Sequence, residues 1–122
     1  MDNLPCHIEL VSQDLERSTE FYKSLFNWQI IDSGIENYRL IKFGEGFPIG
    51  GAILKTKDKI AHEKQWPMIY IRVDSIEETL KKAQKLGSVI TVDIKTIPHR
   101  GCWAAFTDLD GNQIALWKEV DK

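Results

Sequence analysis

The chain has 122 residues, of which 43% are hydrophobic and 28% are charged, a composition typical of one ordinary folded domain. Its formal net charge of −2 excludes the basic footprint expected of a nucleic-acid-binding protein. No apolar stretch approaches the roughly 20 residues of a membrane-spanning helix, so we expect neither a nucleic-acid nor a membrane partner.

The first predicted element is a strand over residues 6–12. Its apolar residues alternate, so that Ile8 and Leu10 share one face while His7 and Glu9 share the other. This alternation is typical of a half-buried strand that packs one face against a helix.

A helix is predicted to begin after Ser12 or Asp14, either of which can act as its N-cap, and to end at Asn27. Its apolar residues recur at helical spacing, at Leu15, Phe21, Tyr22, Leu25 and Phe26. Three further strands are predicted over residues 28–31, 38–43 and 49–54.

The second half repeats this order. A strand is predicted over residues 67–73, a helix over 75–86, and strands over 89–94, 102–107 and 113–118. The helix carries acids early and lysines late, which suits the helix dipole, and Gly87 follows its end. Asp110 and Gly111 predict a tight hairpin before the closing strand.

The two halves resemble each other at a fixed offset. Asp14 and Ser75 both follow a strand and precede a helix, and their numbers differ by 61, half the chain length. We therefore predict an α+β fold of two tandem βαβββ modules within a single domain spanning residues 1–122. Module one covers about 1–56, a linker 57–66 and module two about 67–122. The curved mixed sheets of the two modules should form a cavity between them.

Strand alternation selects the side chains of that cavity. If the isoleucines of the first strand in each module face the helices, six polar or aromatic residues face the cavity instead. These candidate ligand-binding residues are His7, Glu9, Tyr70, Arg72, Trp103 and Trp117. A few polar groups among aromatic side chains are typical of a small-molecule site.

Each candidate has a functional and a structural interpretation. His7 can act as a general base or donate to an anionic ligand, or it can be a cavity histidine paired with a neighbour. Glu9 can activate His7 or receive a ligand amine, or it can form an ion pair with Arg72. Arg72 can bind a carboxylate or phosphate. The aromatic residues can stack on a planar ligand or fill the core.

Two stretches resemble the vicinal oxygen chelate superfamily, which includes lactoylglutathione lyase, bleomycin-resistance proteins and extradiol dioxygenases. They are HIELVSQDLERSTEFYKSLFNW at 7–28 and AFTDLDGNQIALW at 105–117, with Leu109 where proline is usual. The resemblance spans essentially the whole chain. It implies the βαβββ-βαβββ fold, but the superfamily mixes enzymes with binding proteins, so it does not imply one activity.

The resemblance also implies a metal site whose His and Glu ligands come from four symmetric strand positions. In this chain those positions hold His7, Met68, Ala115 and, as the mate of Ala115 in module one, Leu54. Only His7 can supply a ligand that suits a divalent ion. We therefore predict no metal and no other cofactor.

Three functional hypotheses follow. In the first, the protein binds a small organic molecule without the metal centre. In the second, it is a lyase, isomerase or dioxygenase, either metal-free through His7 and Glu9 or dependent on a metal held by other ligands. In the third, it is a structural module. The N-terminus lacks a basic region and no C-x-x-C pair is present, so we expect a cytoplasmic protein with free thiols. Relatives in the superfamily are often homodimers, which the resemblance suggests here too.

Overall fold

A computed structural model describes residues 5–57 and 68–120. These residues form eight strands and two helices in the predicted order: β1 (His7–Ser12), α1 (Leu15–Phe26), β2 (Gln29–Asp32), β3 (Tyr38–Lys42), β4 (Gly50–Lys55), β5 (Ile69–Arg72), α2 (Ile76–Lys85), β6 (Val89–Ile97), β7 (Gly101–Thr107) and β8 (Gln113–Glu119). Neither described helix is long and apolar enough to cross a membrane.

The chain divides into two compact units, with the boundary between residues 59 and 60. Each unit has one helix and a four-stranded mixed sheet, in the order β1-β4-β3-β2 in the first and β5-β8-β7-β6 in the second. In both, the first strand pairs in parallel with the last, and the remaining pairs are antiparallel. The predicted α+β fold of two βαβββ modules is confirmed. The predicted linker, 57–66, lies outside the described residues except for Lys57.

Both helices begin and end as their sequences indicate. The Asp14 carboxylate accepts a hydrogen bond from Arg17 N, and Asn27 ends α1 in the left-handed conformation at φ 59°. Ser75 caps α2 by accepting from Glu78 N, and Gly87 follows at φ 105°. Local capping chemistry therefore sets the length of each helix.

The core of each unit lies between its helix and one face of its sheet. In the first unit, Leu10 and Ile53 are neighbours on β1 and β4, and the Tyr22 and Trp28 rings stack with their centroids 4.8 Å apart. In the second unit the buried apolar side chains are Ile76, Leu80, Ala83, Phe106, Ile114 and Leu116. Neither described helix packs on the opposite face of its sheet, which is called here the open face.

The register of the last strands corrects one sequence inference. Glu9 pairs with Ala52 on β4, whereas Tyr70, its equivalent at an offset of 61, pairs with Ala115 on β8. The first-module mate of Ala115 is therefore Ala52, and not Leu54, because the offset has grown to 63 by the last strand. β6 has nine residues where β2 has four, and its register against β7 shifts twice, which accounts for a changed alignment.

Candidate functional site

The open face of the first sheet carries a cluster of three hydrogen-bonded side chains. His7 and Glu9 lie two residues apart on β1, and their Nε2 and Oε2 atoms are 3.2 Å apart. Tyr38 on β3 completes the cluster, since its hydroxyl donates to Glu9 Oε2 over 2.6 Å and lies 3.0 Å from His7 Nε2. We call these three residues the His7 cluster.

Tyr38 reaches β1 across the strand between them. Glu9 pairs with Ala52, and Ala52 pairs with Leu40 two residues beyond Tyr38. The Tyr38 side chain therefore spans β4 to reach Glu9. Alternation along β1 and β3 thus brings a histidine, a carboxylate and a phenol onto one face.

The close contact with Glu9 changes the acidity of Tyr38. The hydrogen bond to Glu9 raises the pKa of the phenol above its ordinary value of 10.0, and partial desolvation and the negative charge of the carboxylate act in the same direction. At neutral pH Tyr38 is therefore a firm hydrogen-bond donor that holds Glu9 in place.

A depression of about 490 Å³ lies beside the His7 cluster on the first unit. Apolar and polar groups both line it, at His7, Gln29, Ile31, Leu40, Lys42 and Gly50. Two of the apolar side chains are partly exposed, Ile31 at 50% and Leu40 at 38%. A surface of this composition can bind the apolar body of a small molecule and orient its polar groups.

The open face of the second sheet is aromatic. Tyr70 pairs with Ala115, which pairs in turn with Ala105, and in the next row Arg72 pairs with Trp117, which pairs with Trp103. Paired residues project to the same face, so all four predicted candidates of this module share the open face. On this face the small side chains of Ala115 and Ala105 are flanked by the aromatic side chains of Tyr70, Trp103 and Trp117.

The rings and charges of this face adopt a defined arrangement. Tyr70 and Trp103 lie diagonally across Ala115, with ring centroids 6.3 Å apart and planes inclined by 54°. Trp117 leans the other way, so that a methyl group added at Gly101 would meet its Cζ2 atom at 3.0 Å. Arg72 Nη2 forms an ion pair with Glu119 Oε1 at 3.1 Å.

These contacts change how Glu9 and Arg72 should be interpreted. Glu9 is held by Tyr38 and His7, and Arg72 by Glu119, so each charge has a partner within its own unit. The ion pair of Glu9 with Arg72, one of the sequence interpretations, is not needed to explain either residue.

The four positions that the superfamily uses for a metal do not fit one here. They hold His7, Met68, Ala115 and, after the register correction, Ala52. The Met68 sulfur accepts a hydrogen bond from Gln113 Nε2 at 3.4 Å, and a thioether with two methyl groups offers no hard donor. Among residues 5–57 and 68–120, no group of three or more His, Cys, Asp or Glu side chains could hold a metal ion. That this protein binds no metal stays a prediction.

The structure thus groups the predicted site residues in two sets. His7 and Glu9 lie together in the first unit, and Tyr70, Arg72, Trp103 and Trp117 share a face in the second. Convergence of all six on one ligand stays a prediction. Sequence analysis missed Tyr38, because alternation assigns a face to a residue but does not reveal which strands are neighbours.

Comparison with known proteins agrees with the fold. The sequence profile of the Glyoxalase/Bleomycin resistance protein/Dioxygenase superfamily matches residues 5–116. No protein of curated function matches the chain.

Solved structures with the same fold have distant sequences. Fosfomycin resistance protein FosX from Listeria monocytogenes has a TM-score of 0.79 at 20% identity, covering 98% of this chain and 94% of its own. A hypothetical protein from S. aureus has a TM-score of 0.73 at 23% identity, with coverages of 97% and 98%. A glyoxalase/bleomycin resistance protein/dioxygenase family enzyme from Burkholderia phytofirmans PsJN has a TM-score of 0.72 at 14% identity, with coverages of 93% and 97%.

The profile match covers nearly the whole chain and includes both βαβββ units. The chain therefore belongs to the Glyoxalase/Bleomycin resistance protein/Dioxygenase superfamily.

Proposed function

We propose that the protein binds a small organic molecule and that this binding does not use the metal centre of its superfamily. The observation that carries the proposal is the environment of Ala115. It occupies the position of a metal-binding carboxylate, is 0% exposed, and pairs with Tyr70, whose ring centroid is 6.3 Å from that of Trp103. An aromatic surface here takes the place of a charged ligand set.

The exposure of this surface favours a ligand over a purely structural role. Tyr70 is 53% exposed although it shares the open face with two tryptophans. Aromatic rings around a floor of alanines offer stacking area at small entropic cost, because each ring has only two rotatable bonds. A flat apolar molecule is the class of ligand that this geometry suits best.

The Arg72–Glu119 ion pair refines the expected ligand charge. An anionic group that binds Arg72 must compete with Glu119 at 3.1 Å. Both side chains are well exposed, so the pair is weak and a ligand can replace it. The guanidinium can therefore contribute to binding, while stacking supplies most of the affinity.

Tryptophan fluorescence tests the proposal directly. A panel of planar organic acids and their neutral counterparts should include compounds that quench the emission saturably, and Trp103→Phe should weaken that quenching. Trp28→Phe, which also removes one tryptophan but lies in the core of the first unit, is the matched control and should leave the Kd unchanged. If no compound quenches saturably, or if Trp103→Phe lowers only the melting temperature, the residues are structural and the proposal fails.

A second candidate is a metal-free enzyme, and the His7 cluster is the observation that favours it. A histidine held by a carboxylate that is itself held by a third group resembles the arrangement of catalytic bases. A point mutant of FosX from Listeria monocytogenes has been crystallised with Mn(II) and 1S,2S-dihydroxypropylphosphonic acid. Incubating this protein with fosfomycin, with and without Mn(II), and following phosphorus NMR would detect such an activity. Turnover that needs no Mn(II) and is lost on His7→Phe would support this candidate over simple binding.

We also propose a homodimer and a cytoplasmic location. The homodimer is proposed because members of the superfamily are often homodimers. The location is proposed because free thiols are typical of a reducing compartment, and neither Cys6 nor Cys102 forms a disulfide in the structure. Light scattering after gel filtration measures the first, and fractionation of cells expressing the protein measures the second.

A further inference from the structure

Lys95 shares the open face of the second sheet with the aromatic side chains. It pairs with Trp103 across β6 and β7, and Trp103 pairs in turn with Trp117. Paired residues project to the same face and have Cβ atoms about 5 Å apart. The lysine side chain therefore begins beside Trp103, at the edge of the sheet opposite to the edge that carries Arg72.

An irregularity in β6 gives Lys95 this position. Val92 pairs with Ala105 and Lys95 pairs with Trp103, so between these pairs β6 has one residue more than β7. Residues three apart on a regular strand face opposite ways, and the extra residue turns Val92 and Lys95 to the same face. Bulges of this kind re-aim side chains and are over-represented next to active sites.

The same irregularity keeps a carboxylate away from Lys95. Asp93 is two residues from Lys95, and on a regular strand the two would share a face, where they could form an ion pair. Asp93 instead faces α2, where it lines a depression of about 420 Å³ with Leu80 and Gln84. The bulge thus leaves a cation on the aromatic face and places the nearest acid in the sequence on the other.

Arg72 and Lys95 therefore differ in what they can offer a ligand. The Arg72 guanidinium is 3.1 Å from Glu119, which lies on β8 two residues beyond Trp117. Lys95 is exposed and forms no ion pair or hydrogen bond with any residue that the structure describes. An anion that binds Arg72 must displace Glu119, whereas an anion that binds Lys95 displaces no protein group.

We propose that Lys95 determines the specificity of the aromatic face, and that the ligand is a planar aromatic ring with an acid group attached directly at its edge. The ring stacks on Trp103 and Tyr70, whose centroids are 6.3 Å apart, and the acid meets the Lys95 ammonium. The link between ring and acid is short, because Lys95 and Trp103 lie directly opposite each other. This assignment rests on the proposed function and moves the anionic contact from Arg72 to Lys95.

Two naphthalene derivatives test the proposal at about pH 7.5, where a carboxyl group is ionised. 2-Naphthoate carries the acid, and 2-naphthamide is a neutral compound of nearly the same shape. NMR titrations followed at the indole N–H resonance of Trp103, identified by its loss in Trp103→Phe, give the Kd of each. The preference is the Kd of the amide divided by the Kd of the acid. It should fall as salt is added, because the contact with Lys95 is exposed and therefore screened.

Variants assign this preference to Lys95. Lys95→Gln should lower it about 2- to 5-fold, the range expected for one exposed ionic contact. Lys118→Gln is the matched control and should leave it unchanged. Lys118 pairs with Cys102, next to the Trp117–Trp103 pair, so its side chain projects to the opposite face of the sheet and the same charge is removed there.

A second pair of variants uses the bulge. Val92 shares the open face with Lys95, so Val92→Asp supplies the neighbouring carboxylate that the native strand turns away. This substitution should lower the preference for 2-naphthoate, and Val92→Asn, which adds no charge, should not. In Lys95→Gln the effect of Val92→Asp should be smaller, because no ammonium is left to neutralise.

The outcomes separate this assignment from the proposed function. A preference unchanged in Lys95→Gln, or lost in Arg72→Gln and kept in Lys95→Gln, would overturn it. If both naphthalenes then still bind with affinities that depend on Trp103, only the role of Lys95 fails and the proposed function stands. No saturable binding of either naphthalene would overturn the ligand class named here, and the proposed function would fail with it only if no other planar compound quenched the fluorescence.

Discussion

Tyr38 and Glu9 come from strands that are not neighbours, yet their side chains share a hydrogen bond of 2.6 Å across β4. The bond ties an edge strand to the third strand of the first sheet through side chains alone. It also holds the carboxylate beside His7, which is why a single exposed histidine has a defined orientation on this face.

The first prediction concerns the acidity of Tyr38. Glu9→Gln removes the carboxylate that raises the pKa of the phenol, so the pKa of Tyr38 should fall toward its ordinary value of 10.0. Phenolate absorbance measured during an alkaline titration follows the change. Glu16→Gln is the control, because Glu16 pairs with Arg39 and does not contact Tyr38.

The same pKa shift predicts how stability depends on pH. A phenol whose pKa is raised by folding contributes stability that is fully present below pH 10.0 and is lost as the pH rises through the folded pKa. The native protein should therefore lose more stability in this alkaline window than Glu9→Gln does, as measured by urea unfolding. An equal loss in both proteins would show that the Glu9 contact does not stabilise the neutral phenol.

A second prediction concerns the hairpin before β8. The buried Asp108 carboxylate accepts from Asp110 N and Asn112 N at 2.9 Å each and from Asn112 Nδ2 at 2.7 Å. Asp108→Asn replaces one acceptor oxygen with a donor, so we expect a loss of about 1–3 kcal/mol in the free energy of unfolding. The exposed Asp93→Asn is the control, and urea denaturation is the measurement. A loss no larger than that of the control would mean that the turn rearranges without cost.

Much of this fold could be predicted from the sequence because its signals are local. The sequence pattern predicts a strand at each of the eight observed places, although β6 extends to Ile97 and not only to Ile94. Asn27 and Gly87 are found at the helix ends as expected, and of the alternative N-caps the structure has Asp14 and Ser75. Register is not local. The position equivalent to Ala115 was assigned to Leu54 on the assumption of a constant offset, whereas the long, irregular β6 changes the alignment and makes Ala52 the equivalent.

The candidate site was predictable to the same extent. Alternation placed Tyr70, Arg72, Trp103 and Trp117 on one face, and the pairing of β5, β8 and β7 agrees. Tyr38 escaped prediction because its contact with Glu9 depends on strand order, which the parallel pairing of β1 with β4 creates. Tyr38 and Glu9 meet because the strand order places β1 and β3 on either side of β4, and the spacing of these residues along the sequence does not reveal that order.

A third prediction concerns metal content. Protein purified without chelators should contain no stoichiometric zinc, nickel, manganese or iron, because Met68, Ala115 and Ala52 supply no suitable ligand beside His7. Elemental analysis measures this directly, and His7→Phe provides the comparison. About one equivalent of metal per chain, lost in His7→Phe, would contradict the prediction and favour a metal-dependent enzyme.

The last prediction asks whether the missing carboxylate can be restored. Ala115→Glu would place a charge at a position that is 0% exposed and that pairs with Tyr70, on the face that also carries Trp103. The Arg72 guanidinium, one row away on this face, is already paired with Glu119, so without a metal the buried carboxylate should lower the free energy of unfolding by about 3–5 kcal/mol.

Lys95→Glu is the matched control for Ala115→Glu. Lys95 pairs with Trp103 from the edge strand β6 and is exposed, so a glutamate there stays in water and should change stability by less than about 0.5 kcal/mol. Urea unfolding of both variants, with and without added Mn(II), separates the possibilities. A stable Ala115→Glu protein that gains further stability from Mn(II) would show that the aromatic pair can move aside and that the superfamily's metal site is latent in this sheet. An unstable variant that Mn(II) does not rescue would show that Tyr70 and Trp103 have replaced that site.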